Sequence, residues 1–334
     1  MISTMLFGEK VVEMTDIGKP SQLIVTHDRI FITEGASVYI YSLKDYSLLK
    51  KFGSAGEGPK EFKLSPFGPG LQLFPKGDQL VINSDGRISF FTMGGEFISE
   101  MRVKPFSLFI PVDDHFVGNA SEADKENRMW LHLNIYNSKL EKVKTIHSTD
   151  KTIGTGLYSN LLFNTIILPY ESFVYPVYKN KVYIPTETEE ALVINVFDKN
   201  GSKTESIGKI SLPTLIVTEH YKKEMIHWFK DLSPLKPFWD RIKDNIQFRT
   251  HFPLFKNLLI DNDRIYILTY QKNDGKNECI VLNMKGEKVK QIFLSLPPEE
   301  PFAPVCYALK DHHFYALHEN EDTENWELHI TSLK

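Results

Sequence analysis

Between positions 218 and 232, His220, Glu224, His227 and Asp231 recur at spacings of four, three and four residues. On a helix that spacing gathers them into one narrow polar strip. Two imidazoles flanked by carboxylates are ligands for a divalent ion, so His220, Glu224 and His227 are weak metal candidates, although the strip lacks the tight His-x-x-x-His pairing of zinc sites. An ordinary solvated helix face is the competing reading. Downstream, Arg249-Thr250-His251 places a guanidinium beside an imidazole, a combination suited to an anionic ligand or, more plainly, a surface loop. Gly53, Gly56 and Gly58 could pass for a phosphate loop, but the segment lacks the Gly-Lys-Ser/Thr ending and no helix follows it. They are read as a linker that needs positive φ. Cys279 and Cys306 lie in apolar, strand-like runs and read as buried hydrophobes, which excludes a disulfide framework or a Cys-rich zinc site. There is no Gly-x-Ser-x-Gly elbow and no cysteine with catalytic context.

These residues need elements to position them. Thr218 can cap a helix whose apolar stripe is Tyr221, Met225, Trp228, Phe229 and Leu232, with Ser233-Pro234 ending it. A second helix is predicted over 237–247, burying Phe238, Ile242 and Ile246 with Trp239 at its flank. The expected product is a helical hairpin, serving as a lid or as a partner-docking element. Trp228 and Trp239 are its candidate contact residues, with Arg249 and His251 leading back into the rest of the chain.

The remainder is repetitive. A turn residue, a polar residue and an apolar strand recur at Asp28-Arg29-Ile30, Asp78-Gln79-Leu80, Asp114-His115-Phe116, Asn180-Lys181-Val182, Asp263-Arg264-Ile265 and His312-His313-Phe314. The last copy is the weakest, with His where a turn former belongs. Each copy has an apolar stretch upstream and a β-branched or aromatic strand downstream, at 38–41, 88–91, 131–136, 192–197, 279–282 and 328–330. Five of the six continue through a polar turn, such as Asn200-Gly201 or Gly94-Gly95, into a further strand. Each unit is a four-stranded meander, one propeller blade. The sixth lacks its fourth strand, and an orphan strand at 10–14 can supply it.

The fold expected is therefore all-β: a six-bladed β-propeller closed by an N-terminal strand completing the last blade, with a helical insertion between blades four and five. Residues 1–334 are read as one domain with blades at about 20–52, 68–102, 105–147, 172–208, 254–293 and 302–334 plus 10–14, and the insertion at 214–250. His132 and Asn134 alternate on one strand face and read as inter-blade packing groups. The long crossings from fourth to first strands, at 53–67, 148–171 and 209–253, should crowd one face of the ring, where binding usually resides.

Phe52-Gly53-Ser54-Ala55-Gly56-Glu57-Gly58-Pro59-Lys60-Glu61-Phe62, followed by Arg87-Ile88-Ser89-Phe90-Phe91, resembles the linker and strand motif of NHL-repeat and TolB-like six-bladed propellers. The likeness covers 52–91, and elsewhere only the hydrophobic pattern matches. It implies a six-bladed ring of the kind found in bacterial periplasmic or surface proteins, many without an assigned function. The same group includes binding scaffolds, lactonase-type metal hydrolases and amidating lyases, and no metal-ligand set of those enzymes carries over to this chain.

Composition narrows the classes further. With 42% hydrophobic and 25% charged residues the chain can build a large core. A formal net charge of -4 and short basic runs argue against nucleic acid as the partner. No apolar window approaches the roughly 18 residues of a membrane span. The start lacks a signal-peptide pattern, so the expectation is a cytoplasmic protein, or a periplasmic or cell-surface one if a leader has been removed. The leading expectation is a non-catalytic propeller that binds a protein, peptide or glycan on the face carrying the insertion, without a cofactor. The alternative is a metal-assisted hydrolase or lyase with a calcium or zinc ion at the mouth of the central channel.

Overall fold

The computed structural model describes residues 9–64, 70–105, 107–126, 128–150, 166–168, 175–188, 191–231, 236–297 and 305–334. Leu232, the Ser233-Pro234 stop, Phe67 and most of the 148–171 crossing lie outside the described residues.

Six four-stranded antiparallel sheets follow one another along the chain. Blade one runs through Gln22–Val25, Arg29–Glu34, Ser37–Ser42 and Leu48–Phe52, and blade two through Gln72–Lys76, Gln79–Ser84, Arg87–Thr92 and Phe97–Arg102. Blade three comprises Phe109–Val112, His115–Ala123, Met129–Tyr136 and Lys142–Asp150. Blade four comprises Val177–Tyr178, Lys181–Glu187, Leu192–Phe197 and Lys203–Ile210. Blade five comprises Asn257–Asp261, Arg264–Asn273, Lys276–Asn283 and Lys288–Leu294. Tyr307–Lys310, His313–Asn320 and Asn325–Ser332 form blade six, and Glu9–Met14 joins as its fourth strand. The closing register runs from Glu9 opposite Thr331 to Met14 opposite Trp326. This is the six-bladed β-propeller with N-terminal closure.

The chain groups into two compact units, one of 1–111, 260–262 and 295–334, the other of 112–259 and 263–294. In the first, strand alternation decides which core each side chain enters. Ile30, Ile32, Tyr39 and Tyr41 pack with Tyr315, Leu317, Leu328 and Ile330 of blade six. Phe31, Val38 and Ile40, on the opposite face, pack with Leu73, Leu80, Ile82 and Phe91 of blade two. Both faces of a middle strand are buried, so these strands read as unbroken apolar runs. The edge strand Leu48–Phe52 is instead largely exposed and carries Lys50 and Lys51, charges that discourage pairing with another chain.

The His312 turn is a sound copy. In three blades the first hairpin turn has two consecutive residues at positive φ: Lys179 and Asn180, Asn262 and Asp263, and Asp311 (49°) with His312 (60°). That is the primed geometry a two-residue hairpin needs, and His tolerates the left-handed region better than most residues.

The 53–62 linker is folded, not slack. Gly53 sits at φ 89°, and a Cβ there would come within 2.6 Å of both the Ala36 carbonyl and the Phe62 ring. Phe62 is fully buried, its ring centroid 5.9 Å from that of Phe91. Arg87 donates to the carbonyls of Glu57 (2.7 Å) and Gly58 (3.0 Å) and pairs with Glu100 at 3.1 Å. The Arg of the strand motif thus clasps the glycine linker.

In the second unit, the expected second helix is not formed. Residues 237–247 instead give a 3-10 turn at Lys236–Phe238, a single helical turn at Trp239–Ile242, a 3-10 turn at Lys243–Asn245 and a strand at Ile246–Phe248. That strand pairs in parallel with Ile166–Leu168. A helix this short is marginal in isolation. Extended backbone at 246–248 gains hydrogen bonds from a segment about eighty residues earlier, a partner that local periodicity cannot reveal.

Candidate functional site

The insertion stands on a short antiparallel ladder between 215–217 and 250–252. Val217 N donates to Thr250 O at 3.0 Å and Phe252 N to Leu215 O at 2.8 Å, with Ile216 opposite His251. From this base rises helix α1, Glu219–Asp231. Thr218 caps it as expected, its Oγ1 accepting from Tyr221 N at 3.2 Å and its carbonyl from Lys222 N at 3.1 Å. Glu219 in the first turn and Lys230 in the last complement the helix dipole.

The apolar face of α1 has a small core of its own. Met225 and Phe229 are buried against Ile242, and Tyr221, Trp228, Trp239, Ile246 and Phe248 pack around them partly exposed. Trp228 stands edge-on to Phe229 at 5.1 Å. An aromatic chain then ties this core to blade five: Tyr221 to Phe252 at 4.9 Å, and Phe252 to Tyr270 at 4.8 Å. Burial pushes the Tyr221 phenol up to about 12. At the foot of the chain the Lys256 ammonium lies 5.7 Å from the Tyr270 ring centroid. Burial, reinforced by the charge of Lys272, lowers Lys256 to about 7.

The polar strip resolves into two separate pairs. His220 Nε2 meets Glu224 Oε1 at 3.2 Å, and His227 Nε2 meets Asp231 Oδ2 at 3.3 Å, both imidazole side chains being 82% exposed. Among the described residues no three His, Cys, Asp or Glu side chains gather closely enough to hold a metal ion. Trp228 and Trp239 are each half-buried, Arg249 is half-buried and His251 is exposed. Cys279 and Cys306 are buried free thiols, and burial pushes the Cys306 thiol up to about 12.

Sequence reasoning missed two features. Ile216 is 68% exposed beside His251, and the signal was there: an apolar triplet, Leu215-Ile216-Val217, entering a two-stranded ladder must turn one side chain outward. The Phe252–Tyr270–Lys256 foot had no local signal, because it joins a crossing to a strand.

The sheets define the class of this protein as a six-bladed β-propeller. No family model matches the chain, and no curated protein matches it in sequence. Among solved structures it is similar to a luciferin-regenerating enzyme (10% identity, covering 97% of this chain and 95% of that one, TM-score 0.43). It is also similar to the Cps50 (Swd1) β-propeller domain of Myceliophteria thermophila (12%, 98% and 100%, TM-score 0.47). A third is the β-propeller domain of the Trilobed protease from Pyrococcus furiosus (10%, 90% and 77%, TM-score 0.43). At these identities the likeness concerns fold alone. Among the described residues no helix is long and apolar enough to cross a membrane.

Proposed function

We propose that this protein is a non-catalytic binding propeller whose 214–250 insertion docks a protein or peptide partner. The observation that carries the reading is an insertion already packed on Met225, Phe229 and Ile242 that still leaves Trp228 and Trp239 half-exposed and Ile216 outside. Tryptophans with one side packed and one side wet are the anchors around which interfaces concentrate their energy. The Arg249 guanidinium and the His251 imidazole lie at the base of the same element and are suited to hydrogen-bonding an acidic group on the partner. An apolar side chain such as Ile216 favours a peptide segment over a glycan, which would call for more polar groups around the rings.

We also take the chain as an NHL-repeat or TolB-like propeller of bacterial type, periplasmic or at the cell surface if a leader is removed and otherwise cytoplasmic. What supports the family likeness is that its residues pair up, Arg87 with the Gly58 carbonyl and Phe62 with Phe91.

The test is affinity capture on the full chain, followed by titration of the purified captured partner against wild type, Trp228→Ala, Trp239→Ala and Ile216→Asp. Loss of about 2 kcal/mol, some thirtyfold in affinity, is expected for at least one tryptophan. Unchanged affinity in all three variants overturns the reading. A stoichiometric calcium or zinc ion in the purified protein would overturn it in favour of metal-assisted hydrolysis or lyase chemistry.

A further inference from the structure

Blade six holds a cluster of titratable groups remote in sequence from the insertion. Glu327 and His329 share one face of their strand, and His318 is the register partner of Glu327. Glu9, opposite Thr331, lies on the same face of the closing strand. The groups touch: His329 Nδ1 meets Glu9 Oε1 at 3.0 Å and His329 Nε2 meets Glu327 Oε2 at 3.1 Å. The other oxygen of Glu327 accepts from Asn320 Nδ2 at 2.8 Å. A carboxylate thus stands at each ring nitrogen of His329.

His318 has a different environment. Its ring stands edge-on to His329 with centroids 4.6 Å apart. Its Nε2 is sealed from solvent without a hydrogen-bond partner, while the ring bonds the Ser295 backbone. The charged groups facing it are His329, Glu9 and Glu327. A proton added at Nε2 would find no acceptor and would place its charge against the His329 ring.

We propose that this pair makes the closure of the propeller acid-sensitive: His329 latches the closing strand by bridging Glu9 and Glu327 while His318 is neutral, and protonation of His318 loosens the latch. Among the described residues the closing strand Glu9–Met14 is hydrogen-bonded in its sheet only to Asn325–Ser332, so the cluster acts where one neighbouring strand holds it. The direction follows from linkage. Burial, then the neighbouring His329, holds His318 below its ordinary 6.5. The opened state therefore binds the proton more readily, and closure weakens as pH falls below that value. Asn320, then His329, holds Glu327 below its ordinary 4.5, which adds a loss in the same direction at lower pH.

Hydrogen exchange read by mass spectrometry on the full chain, at about pH 7.5 and about pH 5.5 with intrinsic rates corrected, tests this. Protection of Glu9–Met14 should fall roughly tenfold on acidification, and that of Gln79–Ser84 in blade two much less. His318→Gln should abolish the difference, whereas His329→Gln should lower protection of the closing strand at both pH values. Equal loss in both strands, or an undiminished acid effect in His318→Gln, overturns the proposal. If His318→Gln does not fold, NMR titration of the His318 ring in the wild type decides: a midpoint below 6.5 supports the latch and one at or above it overturns it.

Discussion

The 53–62 linker and the 211–256 crossing occupy equivalent topological positions, each leading from the fourth strand of one blade to the first of the next, and they solve the burial problem in opposite ways. The linker turns inward: its one large apolar side chain, Phe62, is fully buried in a blade core, and its polar backbone is taken up by Arg87. The longer crossing turns upon itself, burying Met225 and Phe229 on Ile242 and leaving two tryptophans half in water. A crossing that contributes to the blade core becomes part of the scaffold. One that completes a core of its own has a surface left over for recognition.

That contrast can be broken by deletion of either aromatic. Phe62→Ala should cost about 3–5 kcal/mol of global stability, seen as a lower midpoint of chemical denaturation for the whole chain. Phe229→Ala removes as much apolar surface, but its loss should be confined to 215–250, with faster exchange there and little change in the global midpoint. If both variants lower the global midpoint equally, the insertion is as integral as the linker and the contrast fails.

Lys256 sharpens the comparison at the insertion's foot. Its folded value of about 7 lies below the ordinary 10.5, so the unfolded chain holds more protons between those limits and stability should rise with pH across that window. Lys256→Met should raise stability at neutral pH by about 1–4 kcal/mol and flatten that rise, measured by denaturation at about pH 7 and about pH 9.5. A flat wild-type profile would contradict the burial of this ammonium.

Arg87→Met should cost about 1.5–3 kcal/mol, because two carbonyls of the linker lose their donor and Glu100 its partner. Cleavage by protease within 53–62 should rise alongside. The smallest effect belongs to Thr218→Ala, about 1 kcal/mol of local helix stability, visible as increased exchange over the first turn of α1 with no change in blade cores.

Much of this could be read along the chain. Strand alternation such as Arg29-Ile30-Phe31-Ile32, the turn residues and the orphan strand at 10–14 express local physics, because a middle strand buried on both faces has to be apolar throughout. The helix cap at Thr218 and the stripe of Tyr221, Met225 and Phe229 were legible for the same reason: each depends on neighbours within a turn or two. The His220–Glu224–His227 strip shows the limit of that reading, since correct helical spacing left two separate exposed His–carboxylate contacts rather than one convergent ligand set.

What only the tertiary structure decided are contacts between residues far apart in sequence. The strand Ile246–Phe248 replaced a predicted helix because it pairs with Ile166–Leu168. Lys256 acquired its low proton affinity from burial near Tyr270, and His318 from burial beside His329. The sequence by itself determined six blades, their closure and a capped helix, because periodicity and turn chemistry act over a few residues. Which side chains are sealed and which charges face one another depended on the folded chain, because desolvation and Coulomb energy depend on distance in space and not along the sequence.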